Sequence, residues 1–233
     1  MLATIPRLQL LRQFNRKTLK TCLRIVFSVC FWGGVAFAGF EIAPEVLRKI
    51  QEQYGDSAAS RINQWQQEMR SAQALTEMQK LESVNEFFNR LILFKDDRDL
   101  WNADDYWATP IEFLAKGAGD CEDYSIAKYF TLKELGVSEE KMRITYVKAL
   151  DYNQAHMVLT YFETPRSVPL VLDNLKQEIL PASERNDLLP VYSFNGSGLW
   201  LAKARGSGQL VGSSDRLSLW QNLMDRMNKN VMQ

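Results

Sequence analysis

An α+β domain is predicted for this chain on three observations. Apolar residues recur at helical spacing through residues 44–95 and again over 120–135; beyond Gly136 the period drops to two; and the last two period-two runs are joined by only Glu163–Val168, a hairpin connection. One helix-plus-antiparallel-sheet domain with helices at its N-terminal side accounts for all three.

The elements follow in order. Ile62, Trp65 and Met69 suit one helix with polar outer faces. Thr76-Glu77-Met78-Gln79 has capping-box form, and Leu81, Val84, Phe87, Phe88, Leu91 and Ile92 follow it on one stripe. No helix breaker occurs between Asp56 and Phe94, whereas the charged segment Lys95–Asn102 reads as loop. Gly117-Ala118-Gly119-Asp120 is a turn into a helix ending at Leu135, with Asp120 as its expected cap and Gly136 at the left-handed C′ position. Arg143–Lys148, His156–Phe162 and Pro169–Leu175 read as strands. Residues 194–214, rich in Gly and Ser, read as a long loop. Leu217, Trp220, Leu223, Met224 and Met227 mark a closing amphipathic helix.

The N-terminus reads differently. Residues 1–38 carry six basic groups and no acid, while the whole chain of 233 residues balances 28 against 28, leaving the remainder at −6. The basic stretch ends at Arg24 and is followed by a 14-residue apolar run, Ile25 to Ala38, closing on Ala36-Phe37-Ala38. A spanning helix needs roughly 20 apolar residues. The layout is that of a secretory signal, with an uncleaved anchor as the alternative, and either way the remainder is exported. The balanced charge argues against a dedicated nucleic-acid binder.

Without residues 1–38, Cys22 and Cys30 are gone, and the chain keeps one thiol, Cys121, and one imidazole, His156. A lone cysteine forms no internal disulfide, and an unpaired thiol is a liability in an oxidising compartment. Cys121 stands at the first position of its helix, where the macrodipole and free N–H groups favour the thiolate. His156 opens a strand. If Phe162 faces Pro169 across the hairpin, His156 opposes Leu175, and Asp173 shares its face on a diagonal of about 7–8 Å. A one-residue slip would turn Asp173 to the other face.

Chemically, Cys121 would attack an acyl carbon, His156 would pair with the thiolate and protonate the leaving amine, and Asp173 would hold the ring and stabilise the imidazolium. The Cys121 N–H is a natural oxyanion donor, with the Trp107 indole as a weaker second. Taken singly, a helix-start cysteine can be a small packing residue and a strand histidine a structural one; their conjunction with a parity-matched carboxylate favours catalysis. Asp120, Glu122 and Asp123 flank the thiol and oppose its ionisation. They suit a helix's first turn, but could also share a hard divalent cation, with Asp99, Asn102, Asp104 and Asp105 as a reservoir of further oxygens.

The stretch Gly117-Ala118-Gly119-Asp120-Cys121-Glu122-Asp123-Tyr124, with His156-Met157-Val158-Leu159 and Leu172-Asp173-Asn174, resembles the bacterial transglutaminase-like cysteine proteinases. The likeness runs from about Trp101 to Trp200 and includes Pro190-Val191-Tyr192-Ser193-Phe194-Asn195. It implies a papain-like/transglutaminase-like α+β domain, a nucleophile helix packed on an antiparallel sheet. The division is then a signal peptide over 1–38, a helical segment over 39–95 packed on the core, and a protease core over 96–233 with its C-terminal helix. It further implies Cys121, His156 and Asp173 as catalytic residues, and calcium held by Asp120, Glu122 and Asp123. The implied setting is the periplasm. There the substrate is a large biofilm adhesin cut near its N-terminus at a di-alanine site, and control comes from sequestration on an inner-membrane cyclic di-GMP receptor of LapD type.

Three alternatives use the same residues. A transglutaminase would resolve the acyl-enzyme with an amine instead of water, and a non-catalytic periplasmic binding module would have no need of an intact triad. A Cys/His/Asp zinc site would block the thiol, and catalytic zinc favours other ligand sets.

Overall fold

Pro44, whose φ is already helical, starts α1 (Pro44–Tyr54), and Gly55 at φ 85° ends it and opens α2 (Asp56–Ala72) in one step. The computed structural model describes residues 41–201 and 208–231; the expected signal peptide, residues 1–38, lies outside them. In α3 (Glu77–Leu91) the Thr76/Gln79 capping box is formed, and Leu81, Val84, Phe87 and Phe88 are buried as the spacing predicts. Next come β1 (Leu93–Phe94), α4 (Asp97–Trp101), α5 (Pro110–Lys116) and β2 (Ala118–Gly119). A second capping box, Thr109 with Glu112, starts α5. Gly117 ends α5 at φ 69°, and a Cβ there would overlap the Arg61 guanidinium, which donates to the Leu114 and Ala115 carbonyls at 2.6 and 2.7 Å. Helix α2 thereby caps α5 and sets the chain's entry into β2.

The central helix α6 (Cys121–Glu134) packs on α3 and α5 on one side and on the sheet on the other, so it is buried around most of its circumference. Trp65 on α2 donates its indole N–H to Thr131 on α6 at 2.9 Å, tying the early helices to it. Gly136 takes the left-handed conformation at φ 86° just past its end.

The sheet comprises β3 (Met142–Ala149), β4 (Gln154–Tyr161), β5 (Leu170–Leu172), β6 (Leu180–Pro181), β7 (Leu188–Phe194), β8 (Leu199–Leu201) and β9 (Gln209–Gly212). Their order among the described residues is β6-β5-β4-β3-β7-β8-β9, antiparallel throughout. The β4–β5 pairs are Leu159↔Leu172, Thr160↔Val171 and Tyr161↔Leu170, the register expected if Phe162 faces Pro169. The closing helix α7 (Ser218–Val231) buries Trp220 and Leu223; Trp220 stacks on Phe130 of α6 with centroids 5.7 Å apart. Truncating a ring buried this completely costs about 3–5 kcal/mol.

Two expectations are corrected. Lys95–Asn102 contains helix α4, whose first-turn acids favour a helix start, and Asn102 ends it in the left-handed region at φ 55°. Residues 194–214 are no continuous loop: β8 and β9 lie within them, because β7 supplies a pairing edge that outweighs the local Gly and Ser content. Neither β7 nor α5 has a strong periodic signature, and neither was expected.

Candidate active site

Cys121 is the first residue of α6, which packs against β4. His156, 3% exposed, precedes Met157 on that strand and stands opposite Val147. Its Nε2 lies 2.8 Å from Asp173 Oδ1. His156 and Asp173, from a strand and from the turn after β5, are therefore in contact, and Cys121 opens the helix that packs on that strand.

Asp173 is 1% exposed and fully engaged. Oδ1 also accepts from the Leu175 N–H at 3.0 Å, and Oδ2 accepts from Arg185 Nη2 at 2.7 Å. Burial alone would raise this carboxyl, but the hydrogen bond and charge of His156, the Leu175 N–H and Arg185 prevail and hold it at about 2. An ionised carboxylate only accepts, so Nε2 of His156 carries the proton in this contact. Helix α3 steadies the same turn, since Asn89 donates to the Asp173 carbonyl at 2.7 Å and Asn85 to the Gln177 carbonyl at 2.8 Å.

The thiol itself departs from expectation. Its Sγ donates to Glu122 Oε2 at 3.0 Å. Burial, then the charge and hydrogen bond of Glu122, then the charge of Asp120, push the thiol well above the usual cysteine range, against the small opposing effect of the Met157 N–H. These outweigh the helix-start preference for thiolate.

Carboxylate oxygens of Asp97, Asp120 and Glu122 lie within 4.8 Å of one another. Asp105 lies close enough to couple electrostatically to Glu122 and Asp120. Burial raises all four carboxyls; for Asp120 the charges of Glu122, Asp97 and Asp105 raise it further. Asp97 Oδ1 and Asp120 Oδ1 are buried without a hydrogen-bond partner among the described residues, while Asp97 Oδ2 accepts from the Tyr106 N–H. A set of all-oxygen, mutually repelling donors with orphaned lone pairs fits a hard divalent cation.

One expectation about this region changes. Asp120 is at the N-cap but makes no side-chain cap bond; its carboxylate turns to the acid cluster. Asp123 stands beside Asp97, Asp120 and Glu122, its carboxyl raised by burial and by the charges of Asp120 and Asp97, and its Oδ2 is buried without a hydrogen-bond partner among the described residues. It is fully buried, accepts the Ala108 N–H at 2.7 Å and lies against Gly119, because the third position of α6 faces inward toward α5. The Trp107 indole interacts favourably with the Asp105 carboxyl, and its ring stacks on Phe194 at 5.4 Å. Sequence reasoning also missed Asp97, Arg185 and Lys128. Lys128 lies two turns beyond Cys121 on α6; its Nζ is buried without a hydrogen-bond partner, 5.7 Å from the Tyr124 ring centre. Burial lowers it to about 7 against the attraction of Asp173. A lysine between the apolar pairs Ile126-Ala127 and Tyr129-Phe130 was the available signal for Lys128; for Arg185 there was none.

The profile of the bacterial transglutaminase-like cysteine proteinases matches residues 52–200. Among solved structures, EGTA-treated Legionella pneumophila LapG is 45% identical, with 80% of this chain and 98% of that one covered at a TM-score of 0.70. Legionella pneumophila LapG is again 45% identical at a TM-score of 0.69, with the same coverage. Its calcium-bound form is 46% identical at 0.68, covering 80% of this chain and 99% of that one. No curated protein matches the chain.

Proposed function

The chain belongs to the bacterial transglutaminase-like cysteine proteinases, and from that membership we propose that it is an exported, calcium-dependent endopeptidase acting through Cys121, His156 and Asp173. The observation that supports this reading is the buried 2.8 Å contact between His156 Nε2 and Asp173 Oδ1, on a strand packed against the helix that Cys121 opens.

Nδ1 of His156 takes the thiol proton as sulfur adds to the scissile carbonyl carbon. The ring then gives that proton to the leaving amine, and a water activated by the same imidazole cleaves the thioester. Asp173 holds the Nε2–H throughout and stabilises the charged ring. The Cys121 N–H, in the first turn and without an intrahelical acceptor, suits the oxyanion. Calcium would be held by Asp97, Asp105, Asp120 and Glu122, and when bound it supplies the positive charge this cluster lacks.

The substrate is the N-terminal region of a large biofilm surface adhesin, cut at a di-alanine site in the periplasm. Control comes from sequestration on an inner-membrane cyclic di-GMP receptor of LapD type. The likeness to LapG and the secretory layout of residues 1–38 support these assignments.

The test is cleavage of an adhesin N-terminal fragment containing Ala-Ala, read by mass of the products. Protein in calcium should cut between the alanines, and Cys121→Ala should not cut at all. Incorporation of an amine donor into a glutamine peptide without proteolysis would instead identify a transglutaminase.

A further inference from the structure

We propose that Arg185 is a positioning residue for this thiol chemistry: its guanidinium fixes the plane of the Asp173 carboxylate and, through it, the imidazole of His156. The inference rests on the cysteine-protease reading for its functional consequence, but not for its geometry.

Arginine is almost never fully buried unless paired, and Arg185 is 2% exposed. It follows the short turn Ala182–Glu184, twelve residues beyond Asp173 in the chain. Nε lies 3.0 Å from Asp187 Oδ1 and Nη2 lies 2.8 Å from Asp187 Oδ2, a two-point grip that sets the plane of the guanidinium. Asp187 is held in turn, because its carbonyl accepts the Leu150 N–H at 2.8 Å and its carboxylate lies 3.6 Å from Lys176 Nζ. From that fixed fork Nη2 reaches Asp173 Oδ2 at 2.7 Å.

The division of donors on Asp173 gives this contact its meaning. His156 and the Leu175 N–H both bind Oδ1, while Arg185 is the donor at Oδ2. A carboxylate pinned at one oxygen can swing about its terminal torsion, which is broad and shallow. Pinned at both, it presents one lone-pair direction to Nε2–H. Lys128 contributes charge toward Asp173 but no hydrogen bond, so it cannot set the orientation. A lysine in place of Arg185 could reach Asp173 or Asp187 but could not reproduce the fork.

His156 is the only histidine in the chain, so protein labelled with 15N-histidine reports one imidazole. In calcium, the buried Nε2–H should give a single correlation, slow to exchange with solvent in either charge state of the ring. In Arg185→Gln that correlation should shift and lose its protection, and kcat should fall about tenfold or more at unchanged KM. Arg185→Lys should recover part of both. Asp187→Asn, which loosens only the rear of the fork, should give an intermediate shift. Should Arg185→Gln fail to fold, the lysine and Asp187 variants carry the test. A folded Arg185→Gln, or failing it that pair, with the wild-type imidazole correlation would reduce Arg185 to a packing residue and overturn the proposal. The correlation decides positioning even if the protein cleaves nothing, whereas absence of proteolysis in wild type would sink only the reading on which the functional consequence rests.

Discussion

Cys121 Sγ donates to Glu122 Oε2 across 3.0 Å. A thiol has one proton to give, and here it is directed at the next side chain in the sequence. The nucleophile and a carboxylate of the acid cluster are thus coupled through a single hydrogen bond, and charge on that cluster bears directly on the sulfur.

That coupling predicts the thiol's titration. In EGTA, iodoacetamide alkylation of Cys121 should rise with pH only above the ordinary cysteine value of about 8.5, because burial and the Glu122 and Asp120 charges oppose thiolate. Calcium should move the midpoint down, and Glu122→Gln should lower it in EGTA. A midpoint at or below the ordinary value in EGTA would falsify the coupling. Mass spectrometry reads it at the one cysteine outside residues 1–38.

Metal removal should separate the acids into two groups. EGTA should abolish cleavage, and calcium but not magnesium should restore it, since a crowded all-carboxylate site suits the larger, more flexible ion. Asp97→Asn should raise the calcium requirement about tenfold or more. Asp123→Ala should instead cost about 1–3 kcal/mol of stability by exposing a buried Ala108 N–H to no acceptor. Calorimetric calcium titration of both variants checks this, and an equal loss of affinity in the two would restore Asp123 to the ligand set.

Stability should respond to pH with opposite signs at two places. Asp173 is depressed to about 2 from an ordinary 3.8. Its contribution, about 2 kcal/mol by linkage, is present above pH 4 and lost as pH falls toward 2. Asp120 and Glu122 are raised, so the folded state holds protons the unfolded chain has released. In EGTA, melting temperature should therefore fall as pH rises from the ordinary carboxyl range through neutrality. Calcium should flatten that slope. Melting curves at a series of pH values, with and without calcium, test both limbs.

Asn89 links the early helices to the site. Asn89→Ala should cost about 1 kcal/mol and lower kcat with little change in KM, because it frees the Asp173 carbonyl from α3. Unchanged kcat in a variant of reduced melting temperature would confine Asn89 to a structural role.

Much of the frame was readable from local pattern. The Thr76 cap, the stripe Leu81–Phe88, the helix opening at Cys121 and the Leu159↔Leu172 register each depend on contacts within some ten to fifteen residues, where periodicity and capping chemistry are explicit. The segment Lys95–Asn102 and the strands within 194–214 were misread for the converse reason. Charge and glycine content describe a segment's average preference, whereas α4 follows from where its acids fall in the first turn, and β8 and β9 owe their form to strand partners.

By itself the sequence determined which groups were available: one thiol, one imidazole, a carboxylate of matching parity and an excess of acid beside the nucleophile. Only the tertiary structure decided which of those acids share a volume. It turned Asp123 inward to the Ala108 N–H, brought Asp97 across from α4, and set Arg185 behind Asp173. The physical reason is that pattern encodes the face a residue takes on its own element, whereas the charges that meet in a low-dielectric interior depend on how separate elements are packed.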